Sequence, residues 1–586
     1  MSDEFIEPSG DCEIDPEITY SNAPALHPGN SSIFSRRDLL KKGVVSAASL
    51  SAMNFLSYFN AYGAPTMGNK TVSMVADRAK ETEDPHYLIY WYIEGGWESF
   101  DMFSPLLTPN NVIQRLPYDK ISDEMYRVLK FGEANYGIYQ NNNIRYGYLS
   151  EAGKTLMQDM AVLSSMSTGE FHSGERLNCH MGHYTYDIAA DREPDERDVM
   201  QAFSEVYGQH YLLPNIGWFW WLADGELNAQ QYTGRKGFYA DLGPDWAHTI
   251  YAGTPANLKQ FLLRMQTASS SVANQQTERF LDNISSHIMH DSSMEAVKSY
   301  NSALSIYQNL EAKGGGLQRP MLEKMFADPV LLETFRVKPE DMLITYTSVN
   351  NNKARTKFTP ATNVQAMMAY ELMRAGLSTC FFIESRNIRE FDSHRGRGSL
   401  WSADGKTPYG QTDQLQMMNE QLWQPLNSFV ELLKTTPHHV TGKPLWNYTT
   451  IVITSEFGRT ISGDVSGIQS MNIPMPKKVQ QINGQDVSQH WHVTGAAFLG
   501  PNVRGNTQWG GVGHKTHLPI PLMPDGSMDT AFHPVSGEVL PGRVPSKEAW
   551  LPDHGDVYAT ALYLGGINPK GHGRNTRPPM RYIKKA

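Results

Sequence analysis

The chain has 586 residues, 40% hydrophobic and 19% charged, with 51 basic against 61 acidic side chains and a net charge of −10. This is the composition of a globular protein with material for a sizeable core, and the length suits several domains or one large α/β enzyme with insertions. The negative balance gives no electrostatic reason to expect nucleic acid or an anionic membrane surface as partner, and the basic stretch 570–585 is short enough to be a solvated tail.

Residues 1–64 read as a leader. Ser35-Arg36-Arg37-Asp38-Leu39-Leu40 precedes an apolar, alanine- and serine-rich run from Gly43 to Leu56, and small residues follow from Ala61 to Ala64. A paired arginine, a short apolar stretch and a small-residue exit form a twin-arginine export signal. The run is too short and too polar to anchor across ~30 Å of hydrocarbon, so the mature chain is expected to have no stable membrane span. The implied location is periplasmic or extracellular, with the twin-arginine translocase as the partner during export. The acidic stretch 1–34 extends this leader beyond the usual form. Of three cysteines, Cys12 lies in the leader, while Cys179 and Cys380 are able to form one disulfide after export.

Residues 65–85 are a polar linker. His86–Ile93 is an unbroken apolar and aromatic run closed by Gly95-Gly96, which predicts a buried strand. Ala161–Leu163 predicts a second. Residues 187–360 differ, with Trp218–Trp221 clustered and apolar residues at helical spacing (Leu258, Phe261, Leu262, Met265, then Ala303, Tyr307, Leu310), and read as a largely helical insertion or cap.

Strand and helix signals then alternate. Val364, Met368, Leu372 and Ala375 mark a helix closed by Gly376, and Ser378–Ile383 the next strand. Leu415, Met418, Leu422, Leu426, Phe429 and Leu433 mark a helix with a kink at Pro425. Thr449–Thr454 is the strongest strand signal, Ala496–Leu499 one more, and Val557, Ala561 and Leu564 a closing helix. The fold class is therefore α/β: a mostly parallel sheet covered by helices on both faces, built from residues 86–186 and 361–586.

In open α/β sheets ligands bind outside the carboxyl ends of strands. The first strand leads to Glu94, Glu98, Ser99 and Asp101. Strand 378–383 leads to Glu384 and then Asp392 and His394, strand 449–454 leads to Glu456 and Arg459, and His490 and His492 precede strand 496–499. Carboxylate and imidazole from several loops suit a divalent metal (zinc, manganese or calcium), which polarises an ester oxygen and acidifies bound water. Arg459 has the charge and shape to hold an anionic group.

These motifs, namely Gly95-Gly96-Trp97-Glu98-Ser99-Phe100-Asp101, Phe391-Asp392-Ser393-His394, Thr454-Ser455-Glu456-Phe457-Gly458-Arg459-Thr460, the His490 segment and Asp556-Val557-Tyr558-Ala559-Thr560, occur in an order that resembles the twin-arginine-exported family called domain of unknown function 1501. That family looks like a branch of the alkaline phosphatase and sulfatase superfamily. The resemblance spans roughly 86–566 and is poor over 187–360. It implies metal ligation by Asp101, Asp392, His394, Glu456 and His490. Phe457 replaces a usual ligand histidine and Gln489 a usual aspartate. It also implies a nucleophile at a helix start after the second strand, for which Ser173, beside His172, is the first candidate; the alternative for Ser173 is a helix N-cap. His180 and His183 are three apart on one helical face, as a further metal site or as buried, hydrogen-bonded histidines.

Beside a structural role in an exported complex, two functions stay open on the sequence. One is an exported metal-dependent hydrolase of phosphate or sulfate esters acting on a small anionic ester or glycan. The other, motivated by Phe457, Gln489 and the tryptophan-rich insertion, is a non-catalytic carbohydrate- or envelope-binding protein on the same fold. The loop His514-Lys515-Thr516-His517 lies in a glycine-rich stretch that could reach the site, with a solvated loop as the default expectation.

Overall fold

A computed structural model describes residues 85–106, 138–169, 198–208, 250–269, 319–350, 353–385, 417–459, 490–570 and 577–585, with isolated positions among residues 175–182, 211–218 and 481–486. The leader, the linker to residue 84, Phe219–Trp221 and the segment 303–310 lie outside the described residues.

The centre is an eight-stranded sheet. In chain order its strands are β1 (Tyr87–Ile93), β2 (Met160–Ser167), β3 (Asn215–Gly217), β4 (Ile250–Tyr251), β5 (Cys380–Ser385), β6 (Thr449–Ser455), β7 (Val493–Leu499) and β8 (Thr507–Trp509). The spatial order is β8-β2-β7-β6-β1-β5-β3-β4. β1 pairs in parallel with β5 and β6, β3 continues in parallel from β5 to β4, and β8 is parallel to β2. β7 alone runs antiparallel, between β6 and β2.

Both faces are covered. The principal helices are α1 (Val199–Tyr207), α2 (Pro255–Ser269), α3 (Thr362–Arg374), α4 (Gln424–Thr435) and α5 (His554–Leu564). Ile89, Trp91 and Ile93 of β1 join one core with Val364, Met368 and Leu372 of α3 and Leu426 and Phe429 of α4. Leu88, Tyr90 and Tyr92 join the other, with Met200 and Phe203 of α1 and Val557, Tyr558 and Ala561 of α5. A strand buried on two faces must be apolar at every position, which is why 87–93 shows no alternation. Among the described residues no helix is long and apolar enough to cross a membrane.

Helix ends follow the local chemistry. Gly376 takes φ +64° after α3, donating to Met373 O while Leu377 donates to Leu372 O, a Schellman closure. Asp553 caps α5 through Gly555 and Asp556 N–H groups, and Asp556 returns the bond to Asp553 N.

Several expectations need correction. The strand expected over 378–383 is Cys380–Ser385, because pairing to β1 begins at Leu88↔Cys380; Glu384 therefore lies inside the strand. The described part of 187–360 holds α1, α2 and the short helices Arg319–Lys324 and Pro329–Thr334, and it adds β3, β4 and a hairpin of Ile344–Asn350 with Lys353–Thr359. Strands of two or three residues are too short for alternation to be read. Among the described residues no disulfide joins Cys179 and Cys380: both are buried thiols, Cys380 against Met200 Sδ at 3.5 Å and Cys179 against His554.

The break at Pro425 is a π-helical turn, Asn419–Trp423, leading into α4. Proline has no N–H, and its ring crowds the carbonyl four residues back, that of Gln421. Ser385 Oγ donates to that carbonyl at 2.8 Å and accepts from Trp91 Nε1 at 2.7 Å. One hydroxyl thus ties the end of β5, the middle of β1 and the proline-broken helix. Ser385→Ala leaves two buried polar groups unsatisfied, at about 1–3 kcal/mol each. We expect a loss of about 2–4 kcal/mol in urea unfolding, whereas Thr435→Ala, an exposed i−4 back-bond to Glu431 O, stays within about 0.5 kcal/mol.

Candidate functional site

Parallel pairing puts the carboxyl ends of β5, β1 and β6 side by side, since Ile93 lies opposite Ser385 on one flank and Ser455 on the other. Because β7 is antiparallel, its start rather than its end reaches this edge. The two-residue strand His490–Trp491 before it pairs with Gly458–Arg459, with Arg459 opposite His490. The end of β2 arrives too, as Thr168 N donates to His492 O and Ser167 N to Pro552 O. Segments carrying Asp101, Glu456 and His490, and the backbone leading toward Ser173, therefore share one edge.

Glu456 is fully buried. Its Oε1 accepts from Gly95 N at 2.7 Å and its Oε2 from Tyr92 OH at 3.1 Å. Gly95 and Gly96 adopt φ +96° and +73°, which only glycine takes readily. A Cβ on Gly96 would also lie 2.3 Å from the Phe457 ring. Phe457 thus packs directly beneath the turn. Arg459, also fully buried, donates from Nε to Gly96 O at 3.1 Å and from Nη2 to Gly95 O, and its guanidinium sits 5.5 Å from the Phe457 ring centroid. It braces the Gly95-Gly96 turn through backbone carbonyls.

Asp101 ends a 3₁₀ turn, Ser99–Asp101, and is buried. Its N–H donates to Glu98 O, and its backbone packs so closely on Gly147 that a Cβ there would lie 2.2 Å away. Gly458 approaches the same turn, with Ser99 Oγ 2.0 Å from where its Cβ would be. Glu94, Glu98 and Glu384 are buried at the same edge. Among the described residues no group of three His, Cys, Asp or Glu side chains is arranged to hold a metal ion. Asp392, His394 and Ser173, with His172 and His183, lie outside the described residues, and of His490 only the backbone is described.

Behind Glu456 lies a buried cluster that sequence reasoning missed. Glu175 and Asn178–His180 are helical. His554 Nε2 donates to Glu456 O at 2.9 Å, Cys179 Sγ lies 3.2 Å from that nitrogen, and Glu175 Oε2 lies 3.7 Å away. Burial lowers the His554 pKa, against the pull of the Glu456 carbonyl, and burial raises that of Glu175 to about 8. At neutral pH the pair is therefore an uncharged imidazole beside a protonated acid, with Asn178 Nδ2 donating to Glu175 Oε1 at 3.0 Å. His180 is buried and stacks on Phe382 at 4.3 Å, a packed histidine. The only sequence signal for His554 was its place inside the Asp553-x-x-Asp556 capping box.

His517 corrects the expectation of a solvated loop. Its carbonyl accepts from Trp491 Nε1 at 3.4 Å, its ring lies 6.1 Å from that of Phe100, and burial with His514 nearby lowers its pKa to about 4. A neutral imidazole thus stands next to the Asp101 turn. Trp218 is core, donating from Nε1 to Gly253 O at 3.2 Å.

Neither a family model nor a curated protein sequence matches this chain. Solved structures with some likeness include Ps i-CgsB in complex with k-i-k-neocarrahexaose, at 11% identity and a TM-score of 0.32, covering 85% of this chain and 76% of that one. Another is the lipoteichoic acid synthase LtaP from Listeria monocytogenes, at 9% identity and a TM-score of 0.32, covering 90% and 81%. Neither likeness bears on activity.

The Glu175 shift has a consequence for stability. Its folded pKa, about 8, exceeds the ordinary 4.5, so the folded state binds the extra proton and loses stability as pH rises between those values. Glu175→Gln keeps an acceptor for Asn178 and removes the titration. We expect the variant to be more stable than the parent at pH 8 by at least ~1.4 kcal/mol, the worth of one pKa unit, and to show no such gain at pH 4.5, in urea unfolding across that range.

Proposed function

We propose that this chain is an exported, metal-dependent hydrolase of phosphate or sulfate esters. The observation that supports the reading best is the gathering of buried carboxyl groups (Glu94, Glu98, Asp101, Glu384 and Glu456) where three parallel strands end side by side. A cation bound at this edge would favour the charged form of carboxyl groups that are otherwise costly to bury. Oxygen donors with imidazole nearby fit zinc, manganese or calcium. Asp101 and Glu456 would hold the ion with Asp392, His394 and His490. Such an ion supplies Lewis acidity toward an ester oxygen and a more acidic bound water.

The chain's own residues have separable tasks. The hydrogen bonds from Gly95 N and Tyr92 OH fix both oxygens of Glu456, so that its carboxylate needs no reorganisation to ligate. Arg459 holds the turn that presents Gly95. Ser173 is the proposed nucleophile; β2, which precedes it in the chain, ends at this edge. The resemblance to the domain of unknown function 1501 family, the twin-arginine leader and a periplasmic or extracellular location belong to the same proposal.

One observation favours a second reading, a non-catalytic binding protein. Phe457 fills the space beneath the turn, and Arg459 directs Nε and Nη2 to backbone carbonyls. The experiment that separates the two is metal analysis of the full chain after native export, with turnover of aryl phosphate and aryl sulfate. Expected are a bound divalent ion and hydrolysis abolished by chelation, restored by adding the ion back. Asp392→Ala should weaken metal retention and turnover by about 100-fold or more. A folded sample with neither metal nor turnover rejects the hydrolase.

A further inference from the structure

Two imidazoles outside the proposed ligand set stand on one tight turn at the carboxyl edge. His517 N donates to Gly513 O at 2.8 Å, which closes a single α-type turn. Residues three apart on such a turn share a side, and this puts His514 with His517. The turn is placed by Trp491 Nε1, which donates to His517 O at 3.4 Å, and by the Phe100 ring, 6.1 Å from that of His517.

The turn is rigidly held. His514 N donates to Val535 O at 3.0 Å, and Gly513 N to Leu518 O at 2.9 Å. Gly513 and Gly537 meet so closely that a Cβ on Gly513 would lie 2.5 Å from Gly537 Cα, and a Cβ on either would lie 2.4 Å from Thr516 Oγ1. Lys515, between the two histidines in the chain, pairs with Glu538 at 3.1 Å. His517 takes φ +54°, a left-handed backbone that histidine adopts more readily than most side chains.

The ring nitrogens are available for coordination. Nδ1 of His514 is buried and has no hydrogen-bond partner. The His514 carbonyl faces the His517 ring and favours a proton on the nearer nitrogen, which leaves the lone pair on the other. One nitrogen turned to a backbone carbonyl is the arrangement that orients metal-binding histidines. Neither residue is fully buried, so an ion in solution reaches them. We propose that His514 and His517 together bind a divalent transition-metal ion. No third His, Cys, Asp or Glu joins them among the described residues, so water fills the remaining positions. Imidazole donors select copper, nickel and zinc over magnesium and calcium. The assignment stands apart from the hydrolase reading, whose ligands are other residues.

The test is isothermal titration calorimetry of the metal-stripped full chain with nickel and, separately, calcium. It is run on the parent and on Asp392→Ala, His514→Gln and His517→Asn; asparagine accepts the left-handed backbone at 517. Expected is nickel binding that persists in Asp392→Ala and is at least ~10-fold weaker in both histidine variants at unchanged melting temperature. Calcium should bind no more weakly in the histidine variants than in the parent. Electron paramagnetic resonance of the copper-loaded Asp392→Ala chain gives a readout without altering the turn, and nitrogen splitting from two imidazoles is expected. No nickel binding in the parent, loss of it in Asp392→Ala, full affinity in either histidine variant, or an oxygen-only copper spectrum would each overturn the assignment. An exported chain without ester turnover that still binds nickel in this way rejects the hydrolase alone.

Discussion

The pairing of β1 with a parallel neighbour on each flank is the constraint from which the rest follows. Seven consecutive residues, Tyr87–Ile93, are buried on both faces. They send alternate side chains into two separate cores and hold β5 and β6 in fixed register. A one-residue slip would exchange the two sets, sending Trp91 into the side that holds α1 and α5, so register is strongly specified. Trp91 adds a directional lock through Ser385. Because the register is fixed, so is the place where each strand runs out, and Glu94, Glu456 and the end of β5 emerge together.

The antiparallel strand β7 completes the edge in a way that the parallel rule alone misses. In a parallel sheet only residues after a strand reach the carboxyl edge. β7 reverses this, so residues before it, His490 to His492, arrive beside Glu456 and Arg459. The sequence therefore had His490 in the right neighbourhood on the order of its motifs, while the physical cause, a reversed strand wedged between β6 and β2, was visible only in the pairing.

What the sequence made legible was decided by length and burial. β1, β6, α3 and α5 are long and strongly patterned, and their positions match the expectation closely. β3, β4 and β8, of two or three residues, are held by their neighbours and leave no periodic trace. The polar residues divide in the same way. Glu456 was legible because it directly follows a strong strand. His554, Glu175 and His517 were not, because each reaches the edge from an element whose placement depends on long-range packing. The two cysteines illustrate the limit: compatible in number with a disulfide, they point into contacts with different helices, Cys179 with α5 and Cys380 with α1.

Burial neutralises part of the titratable chemistry behind the edge. Glu175 and His554, one layer behind Glu456, are held uncharged at neutral pH. That arrangement lets the His554 imidazole donate to the Glu456 carbonyl without adding a positive charge that would compete with a cation in front of it. Arg459, the buried cation beside the edge, is turned onto the carbonyls of Gly95 and Gly96. Its charge therefore acts on the edge through a braced turn, and the same bonds aim Gly95 N at Glu456.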